Sequence, residues 1–119
     1  MKNDNIKTLQ KLQSKFSKVR NWDKFHTPKN LSMALSVEAS ELVEIFQWMT
    51  DEEIVDKIKD NEFKESIGDE VADIFLYLVR VAEILDIDIE KSVKNKIVKN
   101  EKKYPKNISK DNAIKYNKR

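Results

Sequence analysis

The sequence predicts an all-α protein, a helical bundle with two long acid-bearing helices, and three observations predict it. Charged residues make up 37% of the chain while glycine occurs once and proline twice, a composition rich in helix formers and poor in turn formers. Apolar residues recur at spacings of three and four through most of the chain. Two stretches, Glu38-Ala39-Ser40-Glu41-Leu42 and Glu70-Val71-Ala72-Asp73-Ile74, each set two carboxylates three residues apart, on one helix face. A chain of 119 residues is expected to form one domain, over 1–105, with a basic tail over 106–119.

The elements follow in order. Ile6, Leu9, Leu12, Phe16 and Val19 mark a first amphipathic helix over residues 4–20. The segment from Arg20 to His26 breaks that pattern with closely set aromatic and polar groups, the composition of a small-molecule wall. Trp22 and Phe25 are equally suited to sealing one end of the bundle. His26, the only histidine, suits a capping or hydrogen-bonding role better than that of a catalytic base. Thr27-Pro28 reads as N-cap and first helical residue of a helix running to about Met49. Thr50 and Glu53 have capping-box spacing and open a short acidic helix carrying Ile54, Val55 and Ile58. After a turn at Asp60-Asn61, a long helix is expected from about Glu62 to Leu85, passing Gly68. From Val71 onward that helix is apolar nearly all round, so Phe75, Leu76 and Val79 call for cover by another subunit. Asp86-Ile87-Asp88 ends it and caps a last helix from Ile89 to Tyr104, with Pro105 next.

The setting of the acids gives them meaning. Leu31, Ala34, Leu35, Leu42, Ile45 and Met49 share the helix face of Glu38. Phe63, Ile67, Ile74, Tyr77, Val81 and Leu85 share that of Glu70. Four carboxylates are therefore aimed at a core, where acids rarely lie unless paired or bound to metal. On antiparallel helices the two pairs converge. Hard divalent cations, Mg²⁺ with Mn²⁺ as a substitute, take such oxygens and leave positions for water and phosphate. Two such ions roughly 3.5–4 Å apart clamp an in-line phosphoryl displacement. Two readings compete. Glu-x-x-Glu is common on solvent-facing helices, and the acids could instead pair with Lys96, Lys99 or Lys103 inside a helical oligomer. A di-iron bundle is disfavoured because it needs Glu-x-x-His pairs.

Charge is segregated beneath a net +2. Residues 1–30 hold eight Lys/Arg and two Asp/Glu, residues 38–73 three and thirteen, and residues 91–119 eleven and two. One reading of this is solvated helix faces with pairing between segments; the other is a metal site in the middle and polyphosphate-binding cations at the ends. No recognition motif speaks for nucleic acid. The absence of cysteine excludes disulfides, zinc-thiolate sites and thiol catalysis. No apolar run approaches membrane-spanning length and no signal-peptide core follows Met1, so a cytoplasmic protein is expected.

Glu38-x-x-Glu41 followed by Glu70-x-x-Asp73 resembles the signature of the all-α nucleoside triphosphate pyrophosphohydrolases of the MazG type. The Arg20–His26 segment, Pro28-x-Asn30-Leu31, Glu41-Leu42-x-Glu44-Ile45-Phe46-Gln47-Trp48 and Asp73–Leu78 are similar to the dCTP pyrophosphatase branch. So are Lys96-x-x-x-Asn100 through Tyr104-Pro105, and Lys115-Tyr116. The resemblance covers essentially the whole chain. It implies a dimer or a tetramer of dimers that cleaves between the α- and β-phosphates with Mg²⁺, giving monophosphate and pyrophosphate. It implies Glu38, Glu41, Glu70 and Asp73 as catalytic metal ligands, one of them or a water they orient activating the nucleophile. It further implies Trp22, His26, Trp48 and Tyr77 around base and sugar, and Lys96, Asn100, Lys103 and Tyr104 facing the phosphates. Gln13 departs from some relatives, which carry a histidine there, and the link between the acid helices is shorter than in some. The alternative from another class is a non-catalytic helical oligomer that binds nucleotide or a protein partner.

Overall fold

Local capping chemistry sets where each helix begins in the computed structural model, which describes residues 5–109. Helix α1 spans Ile6–Val19, its first turn capped by the Asn5 side chain, which accepts from the Thr8 amide. It ends in a Schellman motif without glycine. Asn21 takes φ 55°, the Trp22 amide donates to the Ser17 carbonyl at 3.0 Å, and the Asn21 amide donates to Lys18 at 3.0 Å. A short polar side chain tolerates this left-handed backbone, so a chain with one glycine still turns sharply. A single 3₁₀ turn, Asp23–Phe25, follows.

Helix α2 spans Pro28–Phe46, with Thr27 accepting from the Asn30 amide as expected. It stops three residues before Met49. The physical reason is Thr50, which must leave helical geometry (φ −77°, ψ 162°) to cap α3, Asp51–Lys57, through the expected capping box with Glu53. Gln47 and Trp48 therefore fall in a turn instead of the last helical turn. Helix α4 spans Asn61–Ile84 behind an Asp60 cap, and Asp86 beyond it takes φ 55°. Helix α5 spans Ile89–Lys103, capped by Asp88, and a short α6 follows at Lys106–Ser109, where only a polar tail is expected. Among the described residues every regular element is helical.

The chain divides at Asp86–Ile87 into two compact units, inside the stretch read from sequence as one domain. In the first unit α4 is the central element, with α2 packed along it most extensively and α1 next. Phe46 meets Phe63 edge-to-face at 6.3 Å, while Glu38 and Glu41 meet Glu70, so α2 and α4 run antiparallel as expected. Among the described residues the buried apolar ones are Leu31, Val79 and Ala82. Val79 is covered by its own chain, which corrects the expectation that it needs another subunit. What stays open is a different apolar set: Met33, Val37 and Val43 on α2, and Val71 and Leu78 on α4, are all exposed. The second unit contains α5 and α6. No helix among the described residues is long and apolar enough to cross a membrane.

Candidate active site

The two acid pairs come together where α2 and α4 cross their midpoints. Carboxylate oxygens of Glu38, Glu41 and Glu70 lie within 4.8 Å of one another, each side chain partly buried. The Oε2 atoms of Glu38 and Glu70 are shut off from solvent with no hydrogen-bond partner. Two orphaned buried oxygens in an all-carboxylate group are the donor set of a hard divalent cation, and the residues present fit one. Burial first, then the adjoining Glu41 and Glu70 carboxyls, then the Asp73 charge, push the Glu38 carboxyl up to about 7.

Beside this cluster lies a cavity of about 500 Å³, inside the range of small-ligand sites. Glu38 and Asp73 supply its acidic wall, so the fourth carboxylate joins the site at the cavity rather than in the tight group of three. Trp22, His26 and Tyr77 supply polar and aromatic surface, and α1 adds Leu9, Leu12 and Gln13. The Schellman turn sets Trp22 against Phe16, edge-to-face at 5.7 Å, and the Arg20 guanidinium stacks 3.6 Å above the Phe16 ring. Burial, then the charges of Glu38, Asp73 and Glu41, raise the Tyr77 pKa, so its hydroxyl keeps its proton.

Trp48 is not in this wall. It is 87% exposed in the turn after α2. Lys96, Asn100, Lys103 and Tyr104 belong to the second unit. On α5 itself Lys96, Asn100 and Lys103 follow at helical spacing, and the Lys103 charge chiefly lowers the Lys96 pKa. Lys115 and Tyr116 lie outside the described residues.

Sequence reasoning missed one group. Arg80 has its side chain 7% exposed and links His26 (2.9 Å), Asp23 (2.8 Å) and Glu83. A single arginine inside an otherwise apolar helical stretch was the signal that could have found it. Gln13, noted only as a departure, also faces the cavity.

Fold and site together define an all-α protein with a carboxylate cluster beside a cavity of small-ligand size. The chain belongs to the MazG-like family, whose profile matches residues 33–118. It is similar to dCTP pyrophosphatase 1 of Bos taurus, 34% identical over 93% of this chain and 66% of that protein. The Homo sapiens dCTP pyrophosphatase 1 is 32% identical over 93% of this chain and 65% of that one. The chain thus spans slightly less than two thirds of the length of these curated relatives. A pyrophosphatase from Archaeoglobus fulgidus, solved by crystallography, superposes with a TM-score of 0.77 at 37% identity, over 83% of this chain and 91% of that one.

Proposed function

We propose that this protein is a nucleoside triphosphate pyrophosphohydrolase dependent on Mg²⁺, with Mn²⁺ as a substitute, acting on dCTP or a related or modified pyrimidine deoxynucleotide. The observation that carries this reading is the Glu38–Glu41–Glu70 cluster with its two orphaned oxygens, set against a cavity that Trp22, His26 and Tyr77 help to line. The names of the curated relatives support the same reaction and the same base, and that of the Archaeoglobus fulgidus protein supports a pyrophosphatase. Glu38, Glu41, Glu70 and Asp73 would hold the cation. When bound, it supplies Lewis-acid stabilisation of phosphate charge.

The chain's own residues do the rest. Water adds to the α-phosphorus, the bond from that phosphorus to the bridging oxygen breaks, and pyrophosphate leaves with the electron pair. The proton of the attacking water passes to a carboxylate of the cluster. Trp22 offers a face for the base and His26 a hydrogen bond to its edge. Lys96, Asn100, Lys103 and Tyr104 are assigned to the phosphates, where the Lys96–Lys103 like-charge pair gains from an anion. Trp48, exposed at the end of α2, completes the base pocket in this reading through an assembled homo-oligomer, a dimer or tetramer. The open set Met33, Val37, Val43, Val71 and Leu78 favours such an assembly, which would work in the cytoplasm.

The test is a panel of purine and pyrimidine nucleoside triphosphates and diphosphates with Mg²⁺ present or chelated. Fastest turnover of a cytosine or related pyrimidine deoxynucleotide triphosphate, lost on chelation, is expected. No turnover of any nucleotide would leave the non-catalytic helical oligomer as the better reading.

A further inference from the structure

Arg80 stands behind the cavity wall, and nothing in the cleavage step uses it. It lies on α4 three residues beyond Tyr77, and its guanidinium spends each nitrogen on one partner. Nε donates to His26 Nδ1 at 2.9 Å, Nη2 to Asp23 Oδ1 at 2.8 Å, and Nη1 to Glu83 Oε1. These bonds fasten the 3₁₀ turn to α4 across a sequence separation of more than 50 residues.

The bond to His26 has a chemical consequence. Arginine carries donors only, so the ring nitrogen it meets must be bare. His26 Nδ1 therefore presents a lone pair to Arg80, and the proton of the neutral imidazole sits on Nε2. That is the polar atom the ring has left to offer the cavity it lines. A second proton is opposed as well. Burial and then the Arg80 charge lower the His26 pKa, against the weaker upward pull of Asp23.

We propose that Arg80 is a positioning residue for base recognition, holding His26 as a neutral Nε2–H donor so that the cavity selects a hydrogen-bond acceptor on the base. On cytosine the matching edge is N3 with O2, not the amino group. Uracil and thymine carry a proton on N3, and a donor set against it leaves two buried N–H groups unpaired. This assignment rests on the nucleotide reading above for its ligand but not for the state of the ring.

His26 is the only histidine, so nitrogen NMR of the full chain reads it without ambiguity. Two-bond ¹H–¹⁵N correlations across about pH 5.5 to 8 give its tautomer and titration midpoint. The wild-type protein should show Nε2–H with a midpoint below the free value. Imidazolium or Nδ1–H at neutral pH overturns the proposal, with no variant needed. The charged groups acting on the ring are Arg80 and Asp23 on its own turn, while Glu38, Asp73 and Tyr77 line the same cavity and Glu83 bonds Arg80 itself. In Arg80→Met the cation is gone and the Asp23 carboxylate remains, so the midpoint should rise. Arg80→Lys, which keeps a donor-only cation, should bring it back down. Alongside this, Arg80→Met should raise KM for dCTP about tenfold with kcat within about twofold. An unchanged midpoint in folded Arg80→Met overturns the proposal. If Arg80→Met does not fold, the wild-type spectrum decides. If no nucleotide is hydrolysed, the pyrophosphohydrolase reading falls while the spectrum still reports on Arg80 and His26.

Discussion

Glu38→Gln should make the metal-free protein more stable at pH 8, while abolishing turnover. Glu38 sits beside Glu41, Glu70 and Asp73, and its carboxyl is raised from the ordinary 4.5 to about 7. Between those pH values the unfolded chain has lost the Glu38 proton and the folded chain keeps it. Stability therefore falls as pH rises through this window, and the whole cost is present above about pH 7. At about 1.4 kcal/mol per pH unit the gap corresponds to roughly 3 kcal/mol. The cluster opens on a cavity and solvent screens it, which reduces the figure to on the order of 1–2 kcal/mol. The expected gain is a Tm higher by about 4–8 °C for a chain of this size. The assay is thermal unfolding of wild type and Glu38→Gln in chelator at several pH values from below 4.5 to 8. The difference between the two curves isolates this cluster from the other acids. It should be small or reversed at the acid end, where Glu38 is protonated in both states, and should grow towards pH 8. Added Mg²⁺ should stabilise the wild type and not the variant. Parallel pH profiles with no gain at pH 8 would refute the reasoning.

Glu41→Gln and Glu70→Gln should each lower turnover at least about a hundredfold while keeping native circular dichroism, because on the proposed reading each removes a cation ligand without loss of packing. Steady-state kinetics beside the spectrum check this. Trp22→Ala should raise KM by about 1–3 kcal/mol equivalent with little change in kcat, since base stacking acts in the bound ground state and the transition state alike. Equal loss on every nucleotide, with early melting, would mean that Trp22 only seals the bundle. Val71→Lys with Leu78→Glu should shift light scattering towards monomer, because both side chains lie in the open apolar set. A wild type that is already monomeric at micromolar concentration would contradict the association.

Much of this was legible in the chain itself, and the part that was not has a physical cause. Thr27-Pro28 and Thr50 with Glu53 act within one turn, so their caps could be read directly and were found in place. The acid pairs were legible because helical periodicity put them among Leu31, Leu35, Leu42 and Ile45, all of which are buried or partly buried. The end of α2 was harder. Its apolar period runs on to Met49, and only the competing demand of the Thr50 cap stops it at Phe46. Arg80 was hidden for a different reason. Its partners His26 and Asp23 are 54 and 57 residues away, and such pairing leaves no local mark. The cover on Val79 is also tertiary, and no period along α4 distinguishes it from Leu78, which stays exposed.

The central claim is that the Glu38–Glu41–Glu70–Asp73 site directs water to the α-phosphorus of a pyrimidine deoxynucleotide. Hydrolysis of dCTP in ¹⁸O-water, followed by ³¹P NMR, tests it most directly. The account predicts dCMP and pyrophosphate in equal amounts, the label on dCMP, and no reaction in chelator. Orthophosphate and dCDP as first products, or the label on pyrophosphate, would contradict it.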